Sequence, residues 1–226
     1  MAFTDAIFDR FAALEGLSAQ RADTLPELTQ MLTSRRLIPV TTLPLPLILD
    51  ALSPTVLVDA RMNKHHRPES QINLAALTVG LGPNFIAGET TRLAVETAWG
   101  ESLGRIISKG ATNPLQGEPK PIVGHARDRY LYSPAEGPFH TPHQIGDRVQ
   151  RGQEIARVND LPLYAPISGV LRGLTHDGVP VGLRTKVIEV DPRTHNAQIS
   201  GIAERPARIA RGVLQAIQNW EGANAH

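Results

Sequence analysis

Tyr132-Ser-Pro-Ala-Glu-Gly137 and Tyr164-Ala-Pro-Ile-Ser-Gly169 are two copies of one phrase, Y-[SA]-P-x-x-G, thirty-two residues apart. Each leads into a second echo: Val149-x-x-Gly152 followed by Ile155 and Val158 is answered by Val179-x-x-Gly182 followed by Val187 and Val190. The offset is thirty residues at the Val/Gly pair and thirty-two at the Ile/Val pair, so the second copy has two fewer residues before Gly182 and two more after it. Short apolar runs punctuated by Gly and Pro at this period predict a small β module built from two similar halves.

The wording of the repeat narrows the module further. Ile145-Gly-Asp-Arg-Val-Gln-Arg-Gly-Gln-Glu-Ile-Ala-Arg-Val158 followed by Ala165-Pro-Ile-Ser-Gly-Val170 resembles the biotinyl/lipoyl-like barrel-sandwich hybrid domains. Gly146-Asp147 and Gly152 supply tight turns, because glycine enters φ > 0 without Cβ strain. Pro162 and Pro166 suit edges or turns, since proline cannot donate to a sheet ladder. In carrier members of that group the turn between the halves presents a lysine for biotin or lipoate. Here the turn is Asn159-Asp160-Leu161-Pro162, and no lysine occurs between Lys120 and Lys186, which predicts no covalent biotin or lipoate.

Composition bounds the rest. A chain of 226 residues can bury one substantial core or two small ones, and the repeat claims about a third of it. Twenty-three Lys+Arg against 22 Asp+Glu, no basic run and few aromatics (2 Trp, 3 Tyr, 5 Phe) give neither the electrostatic footprint nor the stacking platform of a nucleic-acid binder. No apolar stretch approaches the roughly 20 residues needed to span a bilayer. The opening Met1-Ala-Phe-Thr-Asp-Ala-Ile-Phe-Asp-Arg10 lacks the basic and apolar regions of a signal peptide, so a cytoplasmic protein without a membrane partner is expected. With no cysteine, the chain has no disulfide, thiolate metal ligand, cysteine nucleophile or chain-held persulfide.

The first half reads as α/β. Thr4 can cap a helix in which Ile7, Phe8, Phe11 and Leu14 share a face, ending at Gly16. Leu25-Pro26-Glu27 opens a second helix. Leu37–Thr41 reads as a short strand, Leu45 to Leu52 as an apolar helix or turn, and Thr55-Val-Leu-Val-Asp-Ala60 as a buried parallel strand. Leu77 to Gly88 is a further strand running into a glycine-rich loop, and Leu93–Thr97 and Gly104–Ser108 are shorter strand candidates. From Ala203 to Trp220, Ile209, Val213, Ile217 and Trp220 line one helical face, with Arg205, Arg208 and Arg211 largely off it.

Thr55-Val-Leu-Val-Asp-Ala60, Val79-Gly-Leu-Gly-Pro-Asn-Phe-Ile-Ala-Gly88, Ala94-Val-Glu-Thr97, Leu103-Gly-Arg-Ile-Ile107, Gly169-Val-Leu-Arg-Gly-Leu174, Val190-Asp-Pro-Arg193 and Gly212-Val-Leu-Gln-Ala-Ile217 occur in the order found in the YqeB-type proteins. The chain resembles that family over nearly its whole length. The resemblance implies an accessory protein of selenium-dependent molybdenum hydroxylases related to xanthine dehydrogenase, with an apo-hydroxylase as partner and molybdopterin or a nucleotide as ligand. It also implies three regions: a truncated Rossmann-like α/β domain over 1–117, a barrel-sandwich hybrid without acceptor lysine over 118–193, and a C-terminal helix over 194–226. The family's opening strand and Gly-Gly-Gly-Asp turn have no counterpart in this sequence, which implies a missing or incomplete nucleotide site. Trp99 and Glu101 stand where the family has a basic residue and a histidine. Asn84 stands in place of a glycine, and Asn113-Pro114-Leu115 in place of an Asn-Thr-Gly turn.

Several residues are candidates for chemistry. The loop containing Gly80, Gly82, Asn84 and Gly88 can offer backbone N–H groups to an anion, or serve only as a turn. Lys64, His65, His66 and Arg67 follow a predicted parallel strand at the end where open α/β sheets hold ligands, and read either as a phosphate or pterin contact or as a solvated basic loop. Because both loops follow parallel strands, they are expected to converge. Glu96 and Arg105, on adjacent short strands, read as a buried ion pair or a substrate contact. His140 and His143 lack an evident third metal ligand, so no metal site is predicted. No nucleophile and base stand together, and a non-catalytic interaction scaffold is the alternative to the accessory role.

Overall fold

The computed structural model describes residues 2–62, 66–115, 117, 119, 121–194, 197 and 199–224. It shows a mixed α/β chain with many strands in several open sheets and a long C-terminal helix. The chain divides into two compact units, Gly117–Gly201 and Ala2–Gln116 with Ile202–His226.

The Gly117–Gly201 unit holds eight strands in two four-stranded antiparallel sheets around one apolar core. Along the first sheet lie Tyr130–Tyr132, Lys186–Asp191, Gly169–Leu174 and Arg148–Val149. Along the second lie Leu161–Tyr164, Glu154–Val158, Gly137–His140 and Pro180–Val181. Exchanging each strand for its counterpart in the other half of the repeat converts the first order into the second. The repeat is therefore a two-fold relation between sheets, and each half contributes two strands to each sheet.

The hydrogen bonds carry the same relation. Ala165 N–H donates to Gln153 O at 2.8 Å, and Ser133 N–H donates to Thr185 O at 2.8 Å. In return Gly152 N–H donates to Ala165 O and Arg184 N–H to Ser133 O, both at 2.9 Å. These contacts correct the expected register: Gly152 corresponds to Arg184, Val149 to Val181, and the offset is thirty-two residues throughout. The V-x-x-G echo is misleading because the backbone of that turn needs a left-handed residue at its end, and the second half meets the need with Arg184 at φ 61° where the first has Gly152 at φ 82°. Phe139 and Leu171, Ile155 and Val187, and Val158 and Val190 all lie in the shared core.

In the other unit, Phe11–Leu14, Leu17–Arg21 and Ile38–Val40 form a three-stranded sheet. The helix expected from Thr4 to Gly16 is wrong beyond Asp9. Arg10 turns left-handed at φ 63°, and Glu15 and Gly16, at φ 50° and 79°, close a hairpin that pairs Leu14 with Leu17. Helix Leu25–Ser34 starts as expected, with the Thr24 side chain accepting from Glu27 N–H and the Glu27 carboxylate accepting from Thr24 N–H. Leu45–Leu52 is a helix.

The strands Val56–Asp59, Leu77–Leu81 and Leu93–Val95 run parallel, and Ile106–Ile107 pairs antiparallel at the edge. Every residue of Leu77–Leu81 is buried, as in a parallel strand covered on both faces, and the one polar side chain among them, Thr78, accepts from Arg92 N–H at 2.9 Å. Helix Glu204–Asn224 lays Ile209, Val213, Ile217 and Trp220 against Leu77, Val79, Val95 and Leu103, so the apolar face read from the sequence does dock. Two glycines permit the approach. A Cβ on Gly212 would come closer than 3.0 Å to Gly104 O, and one on Gly104 would come as close to Arg208 O.

Gly212→Ala should therefore lower unfolding stability by about 1–3 kcal/mol through overpacking. Gly222→Ala, in the same helix with open space at its Cβ, should raise it by about 0.5–1 kcal/mol. Urea denaturation of both variants checks the contrast. The two-fold relation makes a second pair of expectations: Gly152→Ala, whose Cβ meets nothing within 4 Å, should cost about 1–2 kcal/mol for its left-handed backbone alone, while Arg184→Gly should be neutral or stabilising. Equal destabilisation by both would contradict the corrected register.

Candidate functional site

Three parallel strands deliver their carboxyl ends to one edge of the sheet, and the residues there come from three loops. After Leu77–Leu81 the chain turns through Gly82 at φ 105° and Asn84 at φ 73°. Gly80 is required by packing, because the ring of Phe85 folds back where its Cβ would stand. Gly82 faces Met62 from the preceding loop and the Thr97 side chain from the following one, with an ideal Cβ at 3.5 Å from each. Gly88, at φ 85°, closes a turn in which its N–H donates to Thr91 O.

The glycine loop and the loop after Val56–Asp59 meet: Asn84 Nδ2 donates to His66 O at 3.4 Å. Lys64 and His65 lie outside the described residues. Arg67 pairs with Glu89 at 2.6 Å on the surface, so its charge is answered within the chain. Glu96 is 2% exposed. Its carboxylate accepts from Thr97 N–H and Ala98 N–H at 2.8 Å and from Asn113 N–H at 2.7 Å. The Glu96/Arg105 side-chain pair is not what forms. The two residues meet through backbone, with Glu96 N–H donating to Arg105 O at 3.0 Å, and Arg105 is exposed. Both residues lie just outside the strands Leu93–Val95 and Ile106–Ile107, and backbone amides satisfy the carboxylate instead.

Asp59 with its partners Arg61 and Gln71, and Arg205, escaped the sequence reading as participants. Asp59, buried at the end of its strand, accepts from Arg61 Nε at 3.0 Å and Nη2 at 2.5 Å and from Gln71 Nε2 at 2.6 Å. Gln71 is itself buried and its N–H donates to Thr90 O, which joins this network to the end of the glycine loop. A signal existed: Asp191-Pro-Arg193 makes the same clip at the end of another strand, with Nε at 3.0 Å and Nη2 at 2.7 Å from the carboxylate. Arg205, on the C-terminal helix, donates from Nε to Thr97 O at 2.9 Å. Burial pushes its pKa down while the Glu96 charge opposes that shift.

The edge thus presents two loops in contact and a set of charges consumed internally. Two open clefts lie elsewhere, one along the face of Leu25–Ser34 and one between Leu45–Leu52 and the residues that precede Leu77–Leu81. In the other unit, His140 Nδ1 faces Asp177 at 3.3 Å and His143 Nδ1 faces Asp147 at 3.1 Å, so the two imidazoles are directed to different carboxylates. Among the described residues no group of three or more His, Asp or Glu side chains could hold a metal ion, and no helix is long and apolar enough to cross a membrane. Asn159, in the turn between Glu154–Val158 and Leu161–Tyr164, donates from Nδ2 to Glu136 O at 2.9 Å and fills the space above Gly137.

The chain is 34% identical over 217 residues to the uncharacterized protein YqeB of Escherichia coli (strain K12), a match that takes in 96% of this chain. It is YqeB-like along nearly its whole length, and it spans 40% of the length of that relative. No family model matches the chain. Among solved structures it is similar to the product-bound ectoine utilization protein EutE (DoeB) of Ruegeria pomeroyi, with 21% identity, 37% of this chain and 27% of that chain covered, and a TM-score of 0.26, too low to carry any argument.

Burial pushes the Asp59 carboxyl up, but the hydrogen bonds from Arg61 and Gln71 and the Arg61 charge outweigh it and hold the pKa below the ordinary carboxylate value. A group so depressed contributes stability above its unfolded pKa and loses it as pH falls through the folded one. Asp59→Asn should accordingly cost about 1–3 kcal/mol at pH 7, with the penalty shrinking below about pH 4. Urea titrations at pH 7, 5 and 3 read the difference, and a penalty constant across that range would deny the ionised clip.

Proposed function

We propose that this chain is a non-catalytic accessory module of a molybdenum hydroxylase system, acting by docking an apo-hydroxylase of the xanthine dehydrogenase type. On this reading the α/β unit is a Rossmann-like domain, and the β unit is a barrel-sandwich hybrid in which the position of the acceptor lysine has become structural. The motifs shared with YqeB-type proteins support the hydroxylase link. One observation favours docking over cofactor holding: at the sheet edge where α/β folds hold ligands, the carboxylates of Asp59 and Glu96 and the Arg67 guanidinium are satisfied by partners in the chain itself. The placement of Asn159 against Glu136 and Gly137 favours a scaffold over a carrier in the same way.

A second reading has an observation of its own. The Asn84 contact with His66 joins the two loops expected to frame a phosphate-bearing nucleotide or molybdopterin. Two measurements separate the readings. In gel filtration with the apo-hydroxylase the docking account predicts co-elution, and in a thermal-shift panel of nucleotides and molybdopterin it predicts no displacement of the midpoint. A ligand at a hundred times its Kd would stabilise the chain by about 2.7 kcal/mol, a shift of several degrees. Such a shift, abolished by Lys64→Ala with Arg67→Ala, would replace docking with ligand binding; separate elution from the apo-enzyme would remove the docking account.

A further inference from the structure

The outer face of the first sheet in the β unit carries an unbalanced set of charges that the docking reading does not use. Arg129 ends a short 3-10 turn and is 4% exposed, yet its guanidinium sits between the Glu189 carboxylate, which it contacts through Nη1, and the Tyr130 hydroxyl, 2.6 Å from Nη2. Its third edge is unmet: Nε is buried and has no hydrogen-bond acceptor among the described residues. Buried guanidinium N–H groups are ordinarily all paired, because an unpaired one forfeits its hydration without recompense.

The charge balance around it points the same way. Glu189 is shared by three cations: Arg129, Lys186 with Nζ at 2.7 Å, and Arg172 with Nη1 at 3.4 Å. Lys186 and Arg129 also lie over the Tyr130 ring, at 3.8 and 4.4 Å from its centroid, so the ring holds both cations in place. The neighbouring carboxylate, Asp191, is fully buried and taken by the two-pronged clip from Arg193, leaving Arg172 4.0 Å away from it. Among the described residues four cations thus face two carboxylates. Arg172 and Lys186 keep 28% and 43% of their side chains exposed, so the excess charge is open to solvent, and Gly173 beside them adds no side chain to cover it.

We propose that this face is an oxyanion subsite, which takes a phosphate or carboxylate group against Arg172 and Lys186 and completes the charge environment of Arg129. Guanidinium forks suit planar or tetrahedral oxyanions, and two flexible cations flanking a fixed one permit either shape. The subsite lies within the Gly117–Gly201 unit and stands independently of the docking proposal.

The test follows the Nε–H resonance of Arg129 by 15N–1H NMR in the full chain, titrated with inorganic phosphate at constant ionic strength. A saturable shift is expected, with affinity weakened about tenfold in Arg172→Gln and in Lys186→Gln, as loss of one charge-assisted hydrogen bond requires. Should Arg172→Gln fail to fold, Lys186→Gln at its half-exposed position supplies the comparison. A parallel titration with a hexaglutamate peptide separates the sources: tighter binding of the peptide assigns the anion to a partner's acidic side chains, and tighter binding of phosphate assigns it to a small molecule. A shift that never saturates, or equal affinity in wild type and both variants, overturns the subsite.

Discussion

The Glu96 carboxylate, buried at 2% exposure and holding three backbone N–H groups, fixes the geometry at the edge of the α/β unit where its parallel strands end. Two of those amides, of Thr97 and Ala98, belong to the loop that continues its own strand, and the third, of Asn113, comes from a segment seventeen residues on. An ionised carboxylate in a buried site is costly unless several donors replace its hydration, and three amides do so here. The same loop then accepts from Arg205 of the C-terminal helix through Thr97 O, so the anion, the loop and the helix are set together. The close approach of Gly212 to Gly104 permits that arrangement, because a Cβ at either glycine would hold the helix away from the strand that Glu96 follows.

The β unit rests on a different constraint. Ser133 and Ala165 each sit between the two carbonyl and amide groups of a turn in the opposite half, and the four hydrogen bonds match in pairs to 0.1 Å or better. This reciprocity makes the two sheets interchangeable and explains why the Y-[SA]-P-x-x-G phrase recurs. In each copy the tyrosine ends one strand, the proline follows the hydrogen-bonding residue, and the glycine opens the next strand where the end of its own half leaves no room for a side chain. Gly137 is pressed by Asn159 and Gly169 by Asp191, residues that are themselves thirty-two apart.

Much of this was legible in the sequence where a residue type answers a single local demand. The strand at Leu77, the helix opening at Leu25-Pro26 and the docking face of the C-terminal helix follow directly from apolar periodicity and the place of proline in a first turn. The stretch from Thr4 to Gly16 did not, because Ile7, Phe8, Phe11 and Leu14 fit a helical face while the pairing of Phe11–Leu14 with Leu17–Arg21 decides the outcome, and pairing is not a local property. The register of the repeat failed for a related reason: Arg184 adopts a conformation that sequence reading reserves for glycine, so Gly182 attracted the alignment. At the sheet edge, the meeting of the Asn84 and His66 loops followed from strand order alone. The bond from Gln71 to Asp59 and those from three backbone amides to Glu96 did not, since amides carry no charge for pattern reading to detect.

The functional account depends on that edge being complete without a ligand, its carboxylates and amides already committed to one another. Amide hydrogen exchange at Thr97, Ala98 and Asn113 measures this most directly, because local opening free energy is read residue by residue. The account predicts strong protection of all three in the ligand-free chain and joint loss of protection in Glu96→Gln. Fast exchange at these amides in the unliganded protein, followed by protection on adding a nucleotide or molybdopterin, would contradict it.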